Sequence, residues 1–330
     1  MKTTQTFALA ALAAALVAIG ADSAAQAPAP TELKQPATKP DAAVAAPKPA
    51  AHTFASPDEA ADALAAAVRA KDAKALVSVV GPGSGSWLFS GDKVADTNDW
   101  MKFLASYDEK HVLEKKDEGK AYLEVGSDAW PFPAPIVKKG TRWTFDPAAG
   151  REEVLNRRVG RNELDAIQTL LAIVDAQREY AASDADGNGY ADYARKFKSS
   201  PGKKDGLYWP AENGAPQSPL GPLVATASSQ GYEHMKAGAA PSPYHGYFFR
   251  ILTSQGKDAP GGAYDYMVGD KLLGGFAIVA WPASYGNSGV MTFVVNHEGA
   301  VYEKDLGPKT ASIASAMTQY NPDPTWRKEQ

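Results

Sequence analysis

The stretch REEVLNRRVGRNELDAIQTLLAIVDAQREYAA, residues 151–182, decides the architecture. Within it Leu164, Ile167, Leu171 and Val174 recur at three- and four-residue spacing, and Leu170 and Ile173 widen the stripe. That period predicts a long amphipathic helix with this face in a core, interrupted once near Gly160. Upstream, Ser56-Pro57-Asp58-Glu59 forms a capping box with proline at the first helical position, so a helix starts there. A second short helix follows Asp72, carries Leu76, Val79 and Val80, and stops at Gly81-Pro82-Gly83. A third follows Thr97, with Trp100, Phe103, Leu104 and Tyr107 on one side. The period then changes to hairpins: 110–116 with 120–126, and 132–138 with 141–146. Pro131, Pro133 and Pro135 place the strand 132–138 at a sheet edge, because proline donates nothing to a ladder.

Downstream of the helix, residues 183–243 are rich in Gly and Pro and predict irregular chain. Strands are expected at 244–252, 273–281, 290–295 and 300–305, with Asn296-His297-Glu298-Gly299 as the last hairpin turn and a short helix over 309–319. The fold class is therefore α+β. A first lobe, residues 53–150, has helices plus a curled antiparallel sheet, and a second, residues 151–330, has the long helix plus an antiparallel sheet.

The 330 residues carry 34 Lys and Arg against 38 Asp and Glu, a net charge of −4, so no basic field points to nucleic acid. The absence of cysteine excludes disulfides, thiol nucleophiles, iron–sulfur clusters, Cys-ligated zinc and lipoprotein acylation. His52, His111, His234, His245 and His297 form no HxxxH or HxH pair, so no zinc site is expected. Neither a P-loop, a dinucleotide GxGxxG nor a GxSxG elbow occurs.

At the N-terminus, Lys2, the apolar run from Phe7 to Gly20 and Ala25-Gln26-Ala27 predict a secretory signal peptide over residues 1–27. The run is shorter than the roughly 20 residues a membrane span needs, so no span is expected after cleavage. Residues 28–52, nearly all Ala, Pro and scattered Lys, predict an extended, disordered tether. The expected address is the periplasm of a Gram-negative bacterium, or the medium.

Several runs carry a family resemblance: WTFD (143–146), RRVGRNE (157–163), YHGY (244–247), GGAYD (261–265), GGF (274–276), AWPA (280–283) and YEKDLG (302–307). Together they resemble one family of exported bacterial proteins, domain of unknown function 2950, over residues 53–326. That resemblance implies no particular activity. The order of three helices and a curling sheet in the first lobe is similar to nuclear-transport-factor-2-like folds, which implies a pocket that is catalytic, ligand-binding or a dimer face. The helix ending AQREY (176–180), then YHGYF (244–248), AWP (280–282) and NHEG (296–299), looks like the globular head of type IV pilins and pseudopilins. A prepilin peptidase site and the membrane-spanning half of a pilin helix are missing from the sequence.

The most chemical segment is DADGNGYAD, residues 184–192. Asp184, Asp186 and Asn188 offer side-chain oxygens at alternate positions, Tyr190 a carbonyl and Asp192 a carboxylate, the first part of a calcium loop. The twelfth position is Arg195 instead of a bidentate Glu, and the competing reading is an Asx-rich helix terminus. Arg151, Arg157, Arg158 and Arg161, mixed with Glu152, Glu153 and Glu163, are candidates for an anion clamp or for an ion-pair network joining the lobes. His245 and Asp265 form the one acid–base pair worth testing as catalytic. Tyr208, Trp209, Tyr232, Tyr244, Tyr247, Tyr264, Tyr266, Trp281 and Tyr285 concentrate in the second half, as an aromatic binding surface or as ordinary core. The favoured expectation is a non-enzymatic binding or envelope-assembly module whose partner is another envelope protein or a glycan. The alternatives are a periplasmic hydrolase acting on envelope polymer and a pilin-like subunit without its anchor.

Overall fold

The structure, a computed structural model, describes residues 52–211, 216–232 and 242–329. The expected signal peptide, the tether up to residue 51 and His234 lie outside the described residues. Helix α1 (Pro57–Arg69) begins on the capping box, with Ser56 Oγ accepting from Glu59 N at 3.1 Å and Glu59 Oε2 accepting from Ala55 N at 2.5 Å. Helices α2 (Ala73–Val80), α4 (Lys93–Glu109) and α5 (Pro147–Ala182) share another start, and α3 (Gly85–Leu88) is a single turn. Asp72, Asp92 and Asp146 hold extended backbone with φ of −96°, −95° and −103°, and each turns Oδ1 onto the N–H groups two and three residues ahead. Helix α4 thus starts on Asp92, a full turn before the Thr97 expected from the sequence.

The first sheet contains β1 (His111–Asp117), β2 (Lys120–Val125), β3 (Trp130–Pro131), β4 (Ile136–Lys139) and β5 (Arg142–Phe145), in the order β1-β2-β4-β5 with β3 paired to β2. Strand β4 lies inside the sheet, not at its edge. The prolines fall before it, so Ile136 is the first residue able to enter a ladder with partners on both sides. Phe54 closes the other end, exchanging backbone hydrogen bonds with Trp143 at 2.8 and 2.9 Å. Phe54, Leu64, Val80, Leu123, Ile136 and Phe145 lie in the core between this sheet and the helices.

Helix α5 runs unbroken for 36 residues, about 54 Å at 1.5 Å per residue. Gly160 does not interrupt it: the residue is solvent-exposed with open space around it, and one glycine costs only about 1 kcal/mol relative to alanine. The helix also crosses the expected lobe boundary at residue 150. Val154 and Leu155 pack on the first core, whereas Ala166, Leu170, Ile173 and Tyr180 enter the second. Its inward stripe is Ala166, Leu170, Ile173, Val174, Gln177 and Tyr180, so of the expected face Leu170, Ile173 and Val174 enter the core and Ile167 packs against it, while Leu164 and Leu171 are left 62% and 41% exposed. Gln177 is buried because its amide imitates a backbone partner, donating to Ala194 O and accepting from Ala194 N, both at 2.8 Å.

Helix α6 (Gly221–Ser229) occupies part of the segment expected to be irregular. Strand β6 (Tyr247–Leu252) precedes two two-residue ribbons, β7 (Ser254–Gln255) with β8 (Tyr264–Asp265) and β9 (Met267–Val268) with β10 (Lys271–Leu272). The main sheet then adds β11 (Ala277–Pro282), β12 (Met291–Asn296) and β13 (Val301–Asp305). Helix α7 (Thr310–Ala316) and strand β14 (Arg327–Lys328) finish the chain. The sheet order β14-β13-β12-β11-β6 is antiparallel throughout. Central strands β11 and β12 are buried on both faces and read as apolar runs. Both cores belong to one compact unit. No helix among the described residues is long and apolar enough to cross a membrane.

Candidate functional site

Three near-consecutive residues of α5 hold the connection between β11 and β12. Arg158 Nη1 donates to Asn287 Oδ1 at 2.6 Å, Asn162 Nδ2 donates to Ser288 O at 2.9 Å, and Glu163 Oε1 accepts from Val290 N and Met291 N at 2.9 Å. Asn287 Nδ2 in turn donates to Phe89 O at 2.8 Å, and Arg158 Nη2 to Trp87 O at 2.7 Å. The RRVGRNE run therefore joins the two lobes, but mostly through neutral acceptors and backbone, not the ion-pair network its charges suggest.

A second node lies at the start of α4. Asp92 is 2% exposed, and its Oδ2 accepts from Tyr232 Oη at 2.8 Å and Gly246 N at 3.1 Å, both from the second lobe. Burial, and then the Asp92 charge, push the Tyr232 phenol well above its ordinary range. Next to this node His245 Nδ1 lies 3.4 Å from Asp165 Oδ2, and the ring packs edge-on against Tyr244. Burial lowers the His245 pKa against the opposing pull of Asp165 and Asp92, which favours the neutral imidazole. Its backbone is left-handed, with φ of 49°, followed by Gly246 at φ of 75°. A Cβ on Gly246 would sit 2.7 Å from Asn162 Nδ2, so only glycine lets the backbone approach both Asp92 and α5.

Beside the seam, in the first lobe, is a cavity of about 410 Å³, within the range of small-molecule sites. Trp87, Trp100, Phe103, Trp130, Phe132 and Val154 give it aromatic and apolar walls. Phe132 ties these rings together, with centroids 5.6 Å from Phe103 and 6.5 Å from Trp100. At the rim stand Asp96, Asp99, Lys102 and Asp128 with Arg157, Arg158 and Arg161. Arg161 forks onto Asp99 at 2.8 and 3.4 Å, and Arg157 pairs with Glu153 at 2.5 Å while lying over Trp130. Asp96 accepts twice from Ser90 N, and burial raises its pKa despite those bonds. Burial likewise lowers the Arg158 pKa, with Asp96 and then Asp99 opposing.

The structure gives His245 the carboxylate of Asp165 as its neighbour. Asp265 lies exposed on β8, accepting from Met267 N at 2.8 Å. In the acidic loop, Asp184 takes φ of 41° and receives Asn188 N and Gly189 N. Asn188 Nδ2 donates to Asp186 Oδ2 at 2.6 Å and Asp192 Oδ1 at 2.9 Å, and Tyr190 N donates to Asn188 Oδ1. Arg195 points its guanidinium to Asp270 O, a bond outside this ring. Among the described residues, no group of three or more His, Asp or Glu side chains could hold a metal ion.

The aromatics of the second half do not form one exposed surface. Tyr247 and Tyr266 are fully buried, and Tyr208, Trp209 and Trp281 pack against the second core. Sequence reasoning missed Asp92, Asp165, Asn287 and the cavity's Trp87 and Trp130. Gly91-Asp92 carries a helix-start signal, but nothing local says that its second oxygen crosses to the other lobe.

The model of the family described as a protein of unknown function, DUF2950, matches residues 51–329. The chain belongs to this family. No curated protein and no solved structure matches this DUF2950 chain, so neither the transport-factor-like nor the pilin-like likeness gains support from a known fold.

Proposed function

We propose that this DUF2950 protein is an exported, non-enzymatic binding module whose first-lobe cavity is the ligand site. One observation carries the reading: an open space of about 410 Å³ has aromatic walls, and two of its rim cations, Arg161 and Arg157, are already held in ion pairs with Asp99 and Glu153. Such a lining suits selective holding, since apolar area supplies affinity and a few placed polar groups supply orientation. Trp87, Trp100 and Trp130 line the cavity and report on it. Titration with phenylnaphthylamine, a neutral fluorescent probe, is expected to quench tryptophan emission with a saturable curve. A linear response, or none, would overturn the assignment of this cavity as a ligand site.

Export rests on the N-terminal segment, and N-terminal sequencing of protein recovered from the periplasmic fraction should read from Pro28. A structural Ca²⁺ in the 184–192 loop would require Asp184, Asp186, Asn188 and Asp192 to exchange their present hydrogen bonds for metal contacts, with Tyr190 adding its carbonyl. A hydrolase remains the second reading, favoured by one observation: a half-buried histidine in left-handed backbone beside Asp165. Release of muropeptides from purified envelope polymer by wild type and not by His245→Asn would favour it over the binding module.

A further inference from the structure

We infer that the first-lobe cavity selects an organic anion with a flat apolar body, its acidic head held by Arg158. The inference rests on the cavity being a ligand site and adds the chemistry of what enters. The four cations and three carboxylates that line the space are not equivalent. Asp99 is occupied by Arg161 through two hydrogen bonds, and Arg157 by Glu153. Asp96 has both oxygens turned to Ser90 N. Lys102 and Asp128 are exposed at the mouth, where water and salt screen them.

Arg158 differs from all of these. Its guanidinium is partly buried, and its two bonded partners, Asn287 Oδ1 and Trp87 O, are both neutral. Only two of the five N–H donors of an arginine are engaged in these bonds. Asp96 and Asp99 lie near enough to influence its charge, yet neither makes an ion pair with it. A desolvated cation without a bonded counter-ion is costly, and a carboxylate or sulfonate arriving there offsets that cost through charge-assisted bonds. The body behind such a head then meets Trp87, Trp100 and Phe132, whose faces favour a planar ring system.

Two probes separate the charge from the cavity: phenylnaphthylamine and anilinonaphthalene sulfonate share one ring system and differ by the sulfonate. Wild-type protein should bind both, the sulfonate at least about tenfold more tightly, which corresponds to ~1.4 kcal/mol. In Arg158→Gln the neutral probe should bind as before and the preference should vanish. Asn287→Ala, which removes the bond across the seam and keeps the charge, should retain the preference. Ser106→Trp, which fills the space from α4, should lose both probes. Equal wild-type affinities, or a preference that survives in folded Arg158→Gln, would overturn the anion inference and leave the cavity reading standing. Failure of both probes to bind wild type would overturn the cavity reading itself. If Arg158→Gln does not fold, the ratio of the two wild-type affinities decides.

Discussion

Replacing Asp92 with alanine tests the seam against a control that the fold supplies. Asp72 and Asp92 cap their helices in the same backbone pose, each Oδ1 accepting from the second and third following N–H groups at 2.9–3.1 Å. Loss of either cap costs about 1 kcal/mol. Only Asp92 uses its other oxygen on the second lobe, and its removal leaves Tyr232 Oη and Gly246 N without their acceptor. Each orphaned group costs about 1–3 kcal/mol, toward the lower end for the half-buried phenol, which can turn to water. Asp92→Ala should therefore exceed Asp72→Ala by about 2–4 kcal/mol. Urea unfolding followed by tryptophan fluorescence and far-ultraviolet circular dichroism measures both variants, and their slopes show whether both lobes still unfold together. Tyr232→Phe should destabilise wild type and cost less in Asp92→Ala, where only the bond from His245 N to Tyr232 Oη remains to be lost, so the double variant falls short of the sum of the two single changes. If the two aspartate variants agree to within about 0.5 kcal/mol, the buried carboxylate does not join the lobes and the argument fails.

The imidazole of His245 has a lowered pKa in the folded chain, so its contribution to stability is present above the unfolded value of about 6.5 and lost as pH falls. His245→Asn, which tolerates the left-handed backbone and does not titrate, should flatten the wild-type loss of stability between about pH 7 and 5. An unchanged slope would remove His245 from the acid response. Gly246→Ala should cost about 2–5 kcal/mol, from the left-handed backbone and the displaced Asn162 amide, and a variant as stable as wild type in thermal melts would contradict the close approach. For the loop at 184–192, calorimetry should record heat at millimolar Ca²⁺, and Asp186→Asn should lose it. Absence of heat in wild type would dismiss the site.

The α+β class, the capping box of α1, the four main strands of the second lobe and the family were legible because each has a local or repeating signature. Ser56 through Glu59 act on N–H groups within one turn, and the apolar runs of β11 and β12 occupy consecutive positions. The misplaced features share a different cause. Leu170, Ile173 and Val174 carry the apolar period into the core, but alanine and glutamine show no clear inside or outside preference, so Ala166 and Gln177 are not legible as inward and Leu164 and Leu171 mark a face that stays exposed. Gly160 signalled a break that packing on both sides of the position overrode. Helix α6 was hidden in a Gly/Pro-rich segment whose composition resembles loop.

Of the candidate site, RRVGRNE was visible as a cluster, and its mixed charges read as an anion clamp or an ion-pair lock. Tertiary structure distributed its members differently: Arg158 to Asn287 and Trp87, Asn162 to Ser288, Glu163 to the start of β12, and Arg161 to Asp99. His245 stands out in the sequence only as a member of an acid–base pair with Asp265, whereas its spatial neighbour Asp165 lies 80 positions away on α5 and shares no motif with it. Local sequence determined most of the helices and strands, since capping and periodicity act over a few residues, while the start of α4 and the whole of α6 emerged only in the folded chain. Which cation meets a carboxylate, which oxygen is buried and where a space remains were decided only when α4, α5 and the β11–β12 connection converged. Those properties depend on desolvation and contact between groups up to 198 residues apart, and neither quantity exists along an unfolded sequence.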